Sequence, residues 1–233
     1  FPPLKRFYLQ SQTRRSCRSA RRVVTISESG RQDVHQYFSV PLERIDVVHP
    51  GVDESFRPLP PSEVADFRER QQLPDQFLLH VGTLQPRKNI PVLIDALARL
   101  NRPELPLVLV GGKGWQYGDI FERIGALGLH KQVRLTGYVP DEELPLWYNA
   151  ASALLFPSVY EGFGLPVVQA MACGTPVVAS NTSSIPEASG DAALLFAPDD
   201  VDSLVSHLQQ YWTTKSRRLP VSYTHLTLPT KRI

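Results

Sequence analysis

The sequence predicts an α/β fold in which helices cover both faces of a parallel sheet. Short apolar runs typical of buried strands alternate with segments of helical periodicity over most of the 233 residues. Two of these strands, ending near Gly82 and Pro157, are each followed by a polar turn and then a helix. Such alternation favours parallel strands joined by right-handed crossovers. No internal repeat is visible beyond it.

Six apolar runs make up the predicted sheet. The strands are expected over residues 77–82, 106–111, 133–137, 153–157, 176–180 and 192–196. The helices are expected over about residues 89–100, 120–127, 141–150, 165–172 and 184–188, with a last helix from residues 200–202 to about 212. Upstream, residues 23–27, 29–38 and 44–48 predict a strand, a helix and a strand. The proline-rich linker over residues 49–61 indicates a domain boundary within it.

Composition argues against several classes of protein. A hydrophobic fraction of 42% with few low-complexity tracts is typical of a globular domain. No apolar run reaches the roughly 18 residues of a membrane-spanning helix, and the segment starting at Phe1 does not resemble a secretory signal. The net charge of +2 gives no preference for nucleic acid. Cys17 and Cys173 are isolated, as is usual in a reducing cytosol.

The turn after the strand at residues 153–157 holds the first candidate site. It runs through Glu161, Gly162 and Gly164 to a helix that opens near Leu165. The glycines let backbone N–H groups approach a ligand closely, and the positive end of the helix dipole points at the same place. Such a turn suits a phosphate or a polyhydroxylated sugar. The Glu161 carboxylate would accept hydrogen bonds from the sugar hydroxyls. The alternative is an ordinary strand–helix turn with Glu161 as a surface acid.

A second turn of the same form lies upstream. The buried run ending at Gly82 leads through residues 83–89 into a helix, so Arg87 and Lys88 lie just before a helix start. Two cations there suit a diphosphate, although most such side chains are solvated loop cations. Because ligands bind beyond the carboxyl ends of strands in a doubly wound sheet, two turns of matching polarity favour a shared site.

Three segments carry a resemblance to a known family: residues 80–89 (HVGTLQPRKN), 133–180 and 183–200. They resemble the donor half of family-4 retaining glycosyltransferases, which have the GT-B fold of two Rossmann-like domains facing across a cleft. The resemblance implies a Rossmann-like parallel sheet with helices on both faces. It also implies a remnant of the N-terminal acceptor domain with the linker (1–58), a nucleotide-sugar donor-binding domain (59–212) and a truncated end (213–233). Residues 221–233 read as a translated sequencing adapter, and the start also reads as internal to a longer chain.

The resemblance implies a donor site built from both turns. Lys88 matches the lysine that contacts the nucleotide diphosphate, and Glu161 matches the acid that holds hydroxyls of the donor sugar; these are the expected catalytic residues. Family members usually place an arginine directly after the strand glycine, where this chain has Thr83, and Arg87 would supply that charge instead. The second acid of the motif, which usually binds the ribose, is Gln169 here. A glutamine amide can still hydrogen-bond a diol, but without charge.

The same resemblance implies the substrates. The donor would be a nucleotide-diphosphate sugar, GDP-mannose or UDP-glucose, used without a cofactor or metal. The sugar would pass with retention of configuration to a glycan or lipid-linked acceptor. Tyr138 and Val139 lie where the family's loop lines the base pocket. The complete expected set of donor-binding residues is Gly82, Thr83, Arg87, Lys88, Tyr138, Val139, Glu161, Gly162, Phe163, Gly164, Leu165 and Gln169.

Acceptor residues and a catalytic histidine lie on the family's first domain, so this chain is expected to bind donor weakly without turnover. Two other functions stay open: a nucleotide-sugar-binding module whose degenerate site is marked by Gln169, and another GT-B enzyme such as a nucleotide-sugar epimerase. The expected location is the cytoplasm, with peripheral membrane association through the basic run at residues 14–22. A solvated face of the N-terminal domain is the alternative for that run.

Three further signals receive a structural interpretation. The motif GGKG (residues 111–114) lacks the spacing of a dinucleotide-binding fingerprint and is expected to border the donor cleft. Asp200 and Asp202 spell a DxD, but their place at a helix start indicates capping, not metal binding. The six histidines have no ligand spacing, and His49 and His80 are interpreted as structural residues near strand ends.

Overall fold

The computed structural model describes residues 3–213, and the predicted adapter-derived tail lies outside them. Two compact units make up the chain, one ending at Pro50 and one beginning at Gly51. The first unit contains α1 (Pro3–Ser19), β1 (Val23–Thr25), α2 (Glu28–Phe38) and β2 (Ile45–Val47).

In the first unit, β1 and β2 pair in parallel, as the predicted strand–helix–strand order requires. The Ser27 side chain accepts a hydrogen bond from the Gly30 N–H at 2.9 Å, so α2 begins with a serine N-cap. Ser39, in the left-handed conformation, ends the same helix. Among residues 5–19 of α1, every side chain except the half-buried Cys17 is exposed.

The second unit is a six-stranded parallel sheet. A helix connects each strand to the next strand along the chain. The strands are β3 (Leu78–Val81), β4 (Leu107–Val110), β5 (Val133–Gly137), β6 (Ala153–Phe156), β7 (Val177–Ser180) and β8 (Leu194–Phe196). The helices are α3 (Pro61–Gln71), α4 (Ile90–Leu100), α5 (Gly118–Ala126), α6 (Leu144–Ala150), α7 (Leu165–Ala172), α8 (Ile185–Ser189) and α9 (Val201–Thr213). All neighbouring strands pair in parallel in the order β5-β4-β3-β6-β7-β8.

The sheet is covered on both faces, as predicted. All residues of β3, β4, β6 and β7 are buried, which explains why these strands are continuous apolar runs. Successive residues point to opposite faces, so Leu107 and Leu109 join a cluster with α4, α5 and α9. Val108 and Val110 join a second cluster with α3, α6 and α7. Two separate cores thus hold one sheet between two helical layers.

The structure differs from the sequence prediction mainly before β3 and at helix starts. The prediction has no helix between the linker and residue 77, yet α3 lies there. Phe67 is its one fully buried side chain, so the apolar pattern of α3 is too weak to be recognised from sequence. The helix expected over residues 141–150 begins as a 3₁₀ turn at Asp141–Glu143 and becomes α-helical at Leu144.

The strand order creates a crevice between β3 and β6. From β3 the chain builds outward to β4 and β5, whereas β6 starts the opposite half of the sheet. The two strands pair only at Leu78 with Ala153 and at Leu79 with Leu154, near their amino ends. The loops that leave their carboxyl ends belong to the two halves of the sheet, and such a switch point is where doubly wound sheets bind ligands.

Candidate functional site

The two predicted turns meet at this switch point. Lys88 ends a 3₁₀ turn (Pro86–Lys88) that follows β3, and Glu161 lies in the loop between β6 and α7. Lys88 Nζ donates to Glu161 Oε1 at 2.7 Å, although the residues are 73 positions apart in the chain. Arg87 Nη1 lies 2.7 Å from the other carboxylate oxygen, Oε2. One carboxylate thus holds both cations of the upstream turn.

Backbone hydrogen bonds join the same two loops. Val159 N donates to the Arg87 carbonyl at 2.9 Å, and the Arg87 guanidinium donates to the Tyr160 carbonyl. The Glu161 N–H donates to Ser183 Oγ at 2.9 Å. These contacts fix the backbone on both sides of the ion pairs, so the charged groups occupy a preorganised position.

Two members of this cluster are largely buried, and their pKa values are shifted. Only 9% of the Lys88 side chain and 11% of the Glu161 side chain are exposed, against 37% of Arg87. Burial lowers the pKa of Lys88 below its ordinary value, because the attraction of Glu161 only partly offsets desolvation. Burial alone would raise the pKa of Glu161, but the Lys88 ammonium and the Arg87 guanidinium outweigh it and hold that pKa below its ordinary value. The Lys88 ammonium also lies 4.8 Å above the centre of the Phe156 ring.

The glycine turn that follows Glu161 has the conformation that the sequence predicts. Gly164 has φ 101° and is the N-cap of α7, which begins at Leu165. A side chain would strain this left-handed backbone. Phe163 is buried, whereas Gly162 and Leu165 are exposed. The amino-terminal end of α7, which is the positive end of its dipole, therefore directly follows the loop that carries Glu161.

A second pair of glycines brings the loops after β3 and β4 together. Gly82 has φ 154° and Gly111 has φ 145°. A Cβ on Gly111 would lie 2.1 Å from the Gly82 carbonyl oxygen, so only glycine fits there. Thr83 is exposed just beyond this contact. The GGKG motif therefore borders the crevice through close backbone packing.

The remaining predicted residues lie around this centre. Tyr138 and Val139 follow β5, two strands away from β3; Tyr138 is exposed, and Val139 is half-buried against the core. Gln169 lies in the second turn of α7, where its Oε1 accepts from the Tyr148 hydroxyl at 3.0 Å. Burial raises the pKa of Tyr148 well above its ordinary value, so this hydroxyl stays protonated and donates. Glu161 and Gln169 thus lie on one loop–helix unit.

Sequence reasoning missed Trp115, in the loop after β4. Its side chain is 57% exposed, and its indole N–H donates to Gln85 Oε1 at 3.1 Å, beside the turn that carries Lys88. The signal available in the sequence was a tryptophan just after the glycine-rich end of a predicted strand. In the DxD, Asp200 accepts from the Ser203 N–H at 2.9 Å and so caps α9, as the sequence predicts for the start of this helix.

Two features are absent from the part of the chain that the structure describes. Within residues 3–213, no group of three or more histidine, cysteine, aspartate or glutamate side chains could hold a metal ion. Over the same range, no helix is both long enough and apolar enough to span a membrane.

This fold and site define a class of protein. A doubly wound domain that gathers cations and a glycine-lined helix start at its switch point belongs among the domains that bind phosphorylated nucleotides. The chain belongs to the glycosyl transferases group 1 family, whose model matches residues 62–223. The model of a second family, Glycosyltransferase Family 4, matches residues 1–56.

Curated relatives agree with this assignment. The chain is 38% identical over 207 residues to O-antigen chain mannosyltransferase B of Escherichia coli, covering 87% of this chain and 54% of that protein. It is 36% identical over 214 residues to a D-inositol 3-phosphate glycosyltransferase of Frankia alni, covering 83% of this chain and 52% of the relative. The chain therefore spans about half the length of these relatives.

Solved structures confirm the predicted Rossmann-like fold and its GT-B type. Anabaena HepE in complex with UDP and glucose matches with a TM-score of 0.79 and 25% identity, covering 88% of this chain and 57% of HepE. Sucrose-phosphate synthase from Thermosynechococcus elongatus matches with a TM-score of 0.78 and 27% identity, covering 91% of this chain and 54% of the synthase.

Proposed function

We propose that the protein is a retaining hexosyltransferase, to which this chain contributes the domain that binds the nucleotide-sugar donor. The observation that carries the proposal is the cluster of Lys88, Arg87 and Glu161. It combines two cations with an acid at the point of the sheet where nucleotides bind, and Lys88 and Glu161 are nearly buried there. Cations bind a diphosphate, and a carboxylate accepts hydrogen bonds from sugar hydroxyls.

Each group then has a role in the transfer. Lys88 and Arg87 bind the diphosphate, and Glu161 turns from them to accept hydrogen bonds from hydroxyls of the sugar. As the bond between the anomeric carbon and the phosphate oxygen breaks, negative charge grows on the leaving diphosphate. The two cations and the amides at the Gly164 turn stabilise that charge more in the transition state than in the ground state. Their backbone is already fixed, so little reorganisation accompanies the reaction.

The donor in this proposal is GDP-mannose or UDP-glucose. The mannosyltransferase relative from Escherichia coli supports the first, and the UDP and glucose in the HepE complex support the second. Tyr138 and Val139 line the base pocket and contribute to the choice between guanine and uracil. Gly82, Thr83 and residues 162–165 form the backbone wall of the site, and Gln169 binds the ribose.

The acceptor in this proposal is a glycan or a lipid-linked sugar, held by the domain whose end is represented by residues 1–58. Residues 59–212 form the donor domain. Since the acceptor groups belong to the other domain, this chain alone binds donor without turning it over. The intact enzyme works in the cytoplasm, including the inner face of the membrane.

Calorimetric titration of this chain with GDP and UDP tests the proposal. Lys88→Ala should weaken nucleoside-diphosphate binding at least about tenfold, which corresponds to about 1.4 kcal/mol. The matched control is Lys131→Ala, an exposed lysine just before β5 and so at the other end of the parallel strands from Lys88, which should leave binding unchanged. Equal affinity of wild type and Lys88→Ala would remove Lys88 from the site. If neither GDP nor UDP binds the wild-type chain, the proposal is refuted.

A further inference from the structure

His80 lies in β3, fully buried beside the ion-pair cluster. Its Nδ1 is 3.0 Å from the Leu155 carbonyl oxygen, and since a carbonyl can only accept, Nδ1 carries the proton. The pairing of β3 with β6 ends at Leu79 and Leu154, so the imidazole supplies the donor that a further ladder hydrogen bond would have supplied. Nδ1 therefore has a structural role.

The other ring nitrogen has no such role. Nε2 of His80 is buried and has no hydrogen-bond partner among the described residues. Because Nδ1 holds the proton, Nε2 presents a lone pair. An unsatisfied buried acceptor is costly and rare in native proteins, so its retention calls for a functional explanation.

The Lys88 ammonium lies close to this nitrogen. A Cβ on Gly82 would lie 3.4 Å from Lys88 Nζ and 3.5 Å from His80 Nε2, so the two nitrogens border the same hollow, which glycine leaves open. Phe156 forms a common floor, since its ring is stacked on His80 with centroids 6.3 Å apart and lies 4.8 Å from Lys88 Nζ. Lys88 Nζ and His80 Nε2 thus lie around the same space beside Gly82, next to one aromatic ring.

We propose that His80 is a positioning residue for Lys88 in the donor-bound state. The inference rests on the proposed function, in which Glu161 leaves the ammonium to hold the donor sugar. His80 Nε2 then accepts one of the three ammonium hydrogens in place of Glu161 Oε1, and the lysine keeps its remaining hydrogens for the diphosphate. The lysine is thereby held in place while its carboxylate partner is engaged elsewhere.

The electrostatics of the ring suit this role. The pKa of His80 is lowered to about 4, chiefly by burial and also by the charge of Lys88, whereas the Leu155 carbonyl and Glu161 act in the opposite direction. The imidazole is therefore neutral at pH 7 and free to accept. A protonated ring would repel the Lys88 ammonium, and an apolar ring would leave it without a partner.

Two substitutions separate the role of Nε2 from that of Nδ1. Both His80→Phe and His80→Gln remove the ring donor to Leu155, but only the glutamine amide oxygen offers an acceptor near the Nε2 position. In calorimetric titrations of the full chain with GDP-mannose and UDP-glucose, whose sugars engage Glu161, we expect His80→Phe to weaken binding at least about fivefold and His80→Gln to stay within about twofold of wild type. Thermal melts should show both variants folded, with similar midpoints. If the two variants bind alike, or if His80→Phe binds as tightly as wild type, His80 has only a structural role.

A measurement on the unmodified protein covers the case in which neither variant folds. With ¹⁵N-labelled histidine, the His80 ring should give the pattern of the Nδ1-protonated tautomer. The Nε2 resonance should move upfield, the direction of hydrogen-bond acceptance, when GDP-mannose or UDP-glucose saturates the site. An Nε2-protonated ring, or an Nε2 resonance unchanged at saturation, would overturn the inference while leaving the donor site intact. If neither nucleotide sugar binds the wild-type chain, the proposed function fails and this inference fails with it.

Discussion

Replacing Lys88 by methionine should destabilise the unliganded second unit by about 2–3 kcal/mol. Breaking a buried ion pair by removing one partner costs about 3–5 kcal/mol, because the other charge is left uncompensated. Glu161 fits that case, since its side chain is 11% exposed. It keeps Arg87 at 2.7 Å on its second oxygen, but this guanidinium is 37% exposed and more strongly screened, so the expected loss lies below the full range.

Urea unfolding followed by tryptophan fluorescence measures this loss in the second unit alone, because all three tryptophans of the chain follow Gly51. Trp147 is 1% exposed and packs edge-on against Phe67 at 5.1 Å, so its emission reports the core. The matched control is Arg99→Met. Arg99 forms an ion pair with Asp202, and their side chains are 53% and 87% exposed. The change should therefore cost no more than about 0.5 kcal/mol.

A double variant tests the reasoning behind that magnitude. If Lys88→Met destabilises through the stranded Glu161 carboxylate, adding Glu161→Gln should recover at least about half of the loss, since neighbouring changes couple. Additive losses would show that the lysine acts through packing. A Lys88→Met chain as stable as the Arg99→Met control would refute the claim that the cluster is electrostatically buried.

Three further predictions concern other parts of the site. Between pH 6.5 and 4 the unfolded chain binds a proton that buried His80 excludes, so the free energy of unfolding should fall by about 3 kcal/mol over that range, as urea titrations at each pH would measure. Gly111→Ala should cost about 3 kcal/mol in the same assay, because its Cβ would meet the Gly82 carbonyl, whereas Gly112→Ala has open space and should cost almost nothing. Gln169→Glu should strengthen nucleoside-diphosphate binding by no more than about fivefold in calorimetry, since it adds charge to an existing acceptor.

Each of these has a contrary outcome. A pH profile that does not flatten in His80→Phe would assign the acid sensitivity to other groups, such as Glu161, whose lowered pKa acts in the same direction at lower pH. Equal stabilities of the alanine variants at positions 111 and 112 would contradict the close contact of the two loops. A gain well above fivefold at position 169 would indicate a degenerate donor site in the natural sequence.

Local patterns in the sequence were sufficient for most of the fold. All six strands of the sheet were predicted, and the signal was clearest for β3, β4, β6 and β7, because strands buried on both faces need an apolar residue at almost every position. Helix α3 was missed for the converse reason. A surface helix with one buried side chain, Phe67, leaves almost no periodic signal.

The sequence by itself determined that two polar turns follow two buried strands, with Lys88 in one and Glu161 in the other, because glycine placement and strand periodicity are properties of neighbouring residues. Their use by a donor stays a prediction. Only the tertiary structure decided that one carboxylate holds both Lys88 and Arg87, and that the His80 lone pair faces the same hollow. These relations depend on β3 and β6 being adjacent and on how much water the packing excludes. Strand order and exclusion of water arise from contacts between residues far apart in the chain, which no local pattern records.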